Sequence, residues 1–128
     1  MTYTITRLMT GANIDDIDTR TRKALAEHSF GVLTEIDVQK TMKSKLDADM
    51  PAYRILGACN SNMAYQAIGI EPRVGAMLPC NVILRAVEGG VEVSAIDPVA
   101  SMQAIDNAKL IAVAGDVRDL SAKAIAAI

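Results

Sequence analysis

The stretch Leu78-Pro79-Cys80-Asn81-Val82-Ile83-Leu84-Arg85-Ala86, followed after Gly89-Gly90 by Val91-Glu92-Val93-Ser94-Ala95-Ile96, decides the fold. Both runs are rich in β-branched and aliphatic residues, the composition of strands. The glycine pair between them supplies the positive φ of a tight hairpin turn without steric cost. Leu78 to Ala86 and Val91 to Ile96 are therefore expected as antiparallel neighbours. Asp97-Pro98 ends the pair, with Pro98 suited to the first position of a short helical turn.

Working back from the hairpin, Glu71-Pro72-Arg73 reads as a turn and Tyr53 to Cys59 as a strand. Asn60 or Asn62 can cap a short helix that runs to Gly69. Val38 to Leu46 is polar and lysine-rich, with Val38, Met42 and Leu46 four residues apart, the pattern of a short surface helix. Gly31 to Asp37 reads as another strand. Ile14, Ile17, Thr21, Ala24, Leu25 and His28 share one helical face, with Asp15, Asp16 and Asp18 at the positive end of the helix dipole. Asn13 is a possible cap, and the alternating Tyr3-Thr4-Ile5-Thr6 predicts a half-buried first strand.

Beyond the hairpin, Leu110, Val113, Val117, Leu120 and Ala124 recur at three- and four-residue steps. This predicts an amphipathic helix that buries all five, with Gly115 expected to allow close approach to another backbone. The expectation is an α+β fold in the order β-α-β(4)-α. It is a single domain over residues 1–128, with a curved, largely antiparallel sheet and helices packed on one face.

The 128 residues suffice for one core, and 51% of them are hydrophobic. With three Tyr, one Phe and no Trp, that core must rest on aliphatic side chains and seven Met. Thirteen basic against fifteen acidic residues leave a net charge of −2, without a basic stripe. Such a balance argues against nucleic-acid and membrane-surface binding. No apolar h-region opens the chain, and two cysteines without a secretion signal point to a reducing, cytoplasmic setting. A small apolar chain with strand edges to cover is expected as a homodimer.

Both cysteines precede an asparagine, in Cys59-Asn60 and Cys80-Asn81. One pair closes a strand and the other opens the next, so an antiparallel arrangement would bring them to one end of the sheet. Three readings stand. The cysteines can be small buried hydrophobes with asparagines bonding backbone. They can form a ligand or nucleophile site, in which a thiolate is activated by cations and a helix N-terminus and amides orient a carbonyl. Or they can bind metal, but structural zinc wants four ligands, and two Cys with one distant His fall short, so no metal is expected. Lys45 and Tyr53 are expected to reach the same region, and Arg54 to add positive charge. His28 is read as bonding the last carbonyls of its helix. No phosphate loop, dinucleotide fingerprint, zincin motif or nucleophile elbow occurs, and the residues name no cofactor.

Several segments in order carry a resemblance: Phe30-Gly31-Val32-Leu33-Thr34-Glu35-Ile36-Asp37, Lys45-Leu46, Tyr53 to Asn60, Leu78-Pro79-Cys80-Asn81-Val82 and Ala95-Ile96-Asp97-Pro98. Together they resemble the bacterial and archaeal family called domain of unknown function 302, over nearly the whole chain. The resemblance implies an α+β fold of the TATA-box-binding-protein-like type, without implying DNA binding, since function has to be argued from a site. It implies no established activity. The chain departs from the family pattern at Ser29, where Gly is common, and at Ser61, where Pro often follows the first Cys-Asn. The functional expectation is a module that binds a small molecule or thiol-reactive species at Cys59, Asn60, Cys80 and Asn81, with Lys45 and Tyr53. The alternative is an enzyme using a cysteine nucleophile or a dithiol redox pair.

Overall fold

The computed structural model describes residues 2–128. Five strands, β1 (Thr4–Thr10), β2 (Gly31–Asp37), β3 (Tyr53–Cys59), β4 (Cys80–Val87) and β5 (Gly90–Ile96), form one sheet in the order β1-β5-β4-β3-β2. Every neighbouring pair is antiparallel. The helices are α1 (Ile14–Glu27), α2 (Val38–Leu46), α3 (Ser61–Ile70), α4 (Pro98–Ser101) and α5 (Ala108–Ala126), with a 3-10 helix at Pro72–Met77. The order β-α-β(4)-α holds, with the shorter helices inside the connections.

One device starts all five α-helices. Asn13, Asp37, Asn60, Asp97 and Asn107 each accept a hydrogen bond through the side chain from a backbone N–H in the first turn. A short oxygen-bearing side chain satisfies one of the donors that a helix start leaves unpaired, at about 1 kcal/mol per cap. At the other end of α1, His28 donates from Nδ1 to the Ala24 carbonyl at 2.8 Å. Ser29 follows at a φ of 68°, in the left-handed region usually left to glycine.

The core lies between one sheet face and α1 with α5. Ile17 of α1 shares this core with Leu56 of β3, Leu84 of β4 and Val93 of β5, and all four are fully buried. At the start of β3, Arg54 reaches α1, donating to Asp18 Oδ2 at 3.0 Å and to Asp15 Oδ1 at 2.6 Å. Burial alone would raise the Asp18 carboxyl, but hydrogen bonds from Arg22 and Arg54 outweigh it and hold the group below its ordinary value.

Several details correct the sequence expectations. Helix α5 buries Leu110, Ala114, Val117, Ser121, Ala124 and Ile125, leaving Val113 and Leu120 half-buried. The helix touches α1, α3, α4, β1 and β5, and its inward stripe mixes the large Leu110, Val117 and Ile125 with the small Ala114, Ser121 and Ala124. Gly115 does not serve the expected close approach, since a Cβ there would meet nothing within 4 Å. Strand β1 continues to Thr10, paired with β5 along its whole length. Strand β4 starts at Cys80 rather than Leu78, because Pro79 has no N–H to give the ladder.

Candidate functional site

Strand β3 ends at Cys59, and α3 begins two residues later with Asn60 as its cap, Oδ1 accepting from the Met63 N–H at 3.1 Å. The chain then returns through the 3-10 helix and a cis Leu78-Pro79 bond to start β4 at Cys80. In the β3–β4 register Cys80 stands opposite Ala58, so it faces the helices, while Asn81 stands opposite Gly57 and faces the other way. A single cavity of about 30 Å³ lies where this end of the sheet meets α3, α4 and α5. Cys59, Cys80, Met63, Met102, Leu110 and Val117 are among its walls. Its lining is almost wholly apolar, and the one amide present, Asn60, has its carbonyl oxygen engaged by the helix cap.

Both cysteines are free and partly buried. Burial pushes the Cys80 thiol up to about 11, and the neighbouring Cys59 adds to the effect. A thiol in that state is protonated at neutral pH and is a poor nucleophile. No His, Asp, Glu, Lys or Arg lines the cavity, so no base stands beside either sulfur.

The structure thus brings Cys59, Asn60 and Cys80 to one cavity and places the other three predicted residues elsewhere. Asn81 and Tyr53 line a broad open groove of about 830 Å³ on the far face of the sheet, with Arg85, Ser94 and Thr6. That groove is internally neutralised, since Arg85 donates to both carboxylate oxygens of Glu92 at 2.9 and 3.2 Å. Lys45 is exposed on α2 and lines neither concavity. Arg54 is committed to the carboxylates of α1 at the opposite end of β3 from Cys59. Within β4, residue parity makes the separation: successive side chains of a strand leave on opposite faces, so Cys80 and Asn81 part company.

Met63 and Met102 are the cavity residues that reasoning from motifs passed over. Met63 follows Cys59 by four positions across the strand–helix junction, and Met102 ends α4 just after Pro98. Seven methionines in a chain with four aromatics were the only signal in the sequence. Among the described residues, no group of three or more His, Cys, Asp or Glu could hold a metal ion. No helix among them is long and apolar enough to cross a membrane.

No curated protein matches the chain. Among solved structures, it is similar to a crystal structure of an uncharacterised conserved DUF302 protein from Bacillus stearothermophilus. The identity is 20%, the TM-score 0.91, and 98% of each chain is covered, a likeness that shows the fold. The family model for the domain of unknown function DUF302 matches residues 5–128, nearly the full span from β1 to the last residue. The chain belongs to the DUF302 family.

Proposed function

We propose that this protein is a binding module for a very small ligand, received in the cavity shared by Cys59 and Cys80. The observation that carries the reading is the convergence of both cysteines of the chain on one apolar void at a strand–helix junction. Scattered structural cysteines have no need to share a cavity. Binding is favoured over catalysis because the cavity has no base and the Cys80 thiol is held protonated at neutral pH. The groove on the far sheet face is large enough for an organic ligand. It contains neither cysteine, and its one arginine is paired within it.

A small reagent tests this. Methyl methanethiosulfonate, which leaves only a methylthio group on sulfur, is applied to the reduced native protein, and each cysteine is followed by peptide mass spectrometry. If the void is shared, a group on Cys59 fills it and Cys80 then reacts more slowly than in a Cys59→Ala protein. Equal Cys80 rates in the two proteins overturn the shared site.

The same proposal includes a homodimer. Leu8 on edge strand β1 is 54% exposed, and Leu33 and Ile36 on edge strand β2 are 64% and 48% exposed. Apolar residues on unpaired strand edges are the positions that a second copy covers. Light scattering of the reduced protein at high micromolar concentration should give twice the chain mass, and a monomer there removes this part.

A further inference from the structure

Four sulfur-bearing residues are among the walls of the same void: Cys59, Cys80, Met63 and Met102. Met102 is buried at 4% exposure, on the α4 side, and Met63 enters from the first turn of α3. We propose that this cavity is a binding site for one soft monovalent metal ion of the Cu(I) class, held by the two cysteine sulfurs with the methionine sulfurs completing the shell. The inference rests on the shared-cavity reading above and names its ligand.

Size comes first. The cavity offers about 30 Å³, whereas organic ligands take pockets of about 300–1,000 Å³. The occupant is therefore far smaller than an organic ligand. Water itself is poorly served, because it needs two to four polar partners and the walls offer almost none. Donor chemistry then chooses the ion. Hard cations such as Mg²⁺ and Ca²⁺ need several oxygen ligands, which the lining lacks. Zinc wants four tetrahedral nitrogen, oxygen or thiolate donors, and only two are present. Thiolate and thioether together are the donors that select Cu(I).

Charge is consistent with this choice. Binding breaks both S–H bonds and forms two S–metal bonds. Both protons pass to solvent, nothing is oxidised or reduced, and the bis-thiolate complex carries one negative charge. The N-terminus of α3, ten residues long, begins beside Cys59 and places its positive dipole end there. The apolar walls exclude water that would compete for the ion, and Met side chains adapt their three torsions to an added atom.

The test uses the reduced full chain under nitrogen, titrated with Cu(I) presented as its bicinchoninate complex, and in parallel with Ag(I) as a redox-inert probe. One Cu(I) per chain is expected to leave the coloured complex, with sulfur as the only neighbour seen by X-ray absorption. Cys59→Ser and Cys80→Ser should each abolish this withdrawal. The volume-conserving pair Met63→Leu with Met102→Leu should weaken it by about tenfold or more, the scale of losing a weaker partner of a metal site. Circular dichroism confirms that each variant is folded. No withdrawal of Cu(I), more than one ion per chain, or a native affinity in the double Met variant overturns the proposal. If metal fails while methylthio protection between the cysteines persists, the shared cavity stands and only its ligand is wrong. If both fail, neither reading survives.

Discussion

The dipeptide Cys-Asn occurs twice in this chain, once where a strand gives way to a helix and once inside a strand. At the first, Cys59 and Asn60 both border the cavity, because the strand ends there and Asn60, still extended at φ −92° and ψ 102°, caps the helix that begins at Ser61. At the second, Cys80 faces the helices and Asn81 the open groove, because successive residues of β4 alternate faces. The cysteines converge and the asparagines do not. Identical motifs thus carry different roles, set by the backbone beneath them: Asn60 is one of five Asx caps, and Asn81 is a groove residue. A sequence motif is a statement about neighbours along the chain, and only secondary structure converts it into neighbours in space.

Four experiments would break or sharpen this contrast. The largest effect concerns Cys80. Its thiol is moved from 9.0 to about 11, so at neutral pH its thiolate fraction falls about 100-fold below that of an unburied cysteine. Since the pKa is raised, the reactive form appears only as pH climbs. Alkylation by iodoacetamide, read by peptide mass spectrometry, should speed up about tenfold per pH unit until pH nears 11. A plateau near pH 9 would place Cys80 in water rather than in the cavity.

Next is Gly57, opposite Asn81 on the open face. A Cβ there would collide with Thr34 Oγ1 and approach Pro79 Cγ at 2.9 Å, immediately before Cys80. Gly57→Ala should cost about 2 kcal/mol in urea unfolding, the scale of overpacking. A neutral substitution would mean that β3 and the Pro79 segment are less closely apposed.

The asparagines supply the sharpest contrast at smaller scale. Asn60→Ala removes a cap and should cost about 1 kcal/mol. Asn81→Ala removes an exposed side chain that has no hydrogen bond to hold and should change stability by no more than about 0.5 kcal/mol. Equal costs would erase the distinction drawn between the two pairs.

Much of the fold was legible because local patterns and tertiary demands agree. The bounds read for β2, α2 and β3, Gly31–Asp37, Val38–Leu46 and Tyr53–Cys59, are those of the structure. There, strand alternation, an Asx cap and the punctuation by Pro51 all point the same way. The tail helix was legible as a helix but not in its rotation. Periodicity in large aliphatics favoured Val113 and Leu120, whereas the buried stripe runs through the small Ala114 and Ser121. Gly115 shows the same limit, since a glycine inside a helix signals tight packing only if something is there to pack.

The candidate site was half legible. Strand order brought Cys59 and Cys80 to one end of the sheet, an inference from connection length. Tyr53 failed to follow because it begins the strand that Cys59 ends, and Asn81 because of its parity in β4. Met63 and Met102 were invisible as site residues, since methionine fills cores wherever gaps occur and nothing local separates the two uses.

The central claim is that Cys59 and Cys80 share one cavity, and a double-mutant cycle tests it most directly. Urea unfolding of the reduced native protein, Cys59→Ala, Cys80→Ala and the double variant gives the coupling between the two positions. Side chains bordering one void share whatever collapse or enlargement follows truncation. The account therefore predicts that the double variant departs from the sum of the singles by more than about 0.5 kcal/mol. Additivity to within about 0.3 kcal/mol, the behaviour of independent sites, would contradict it.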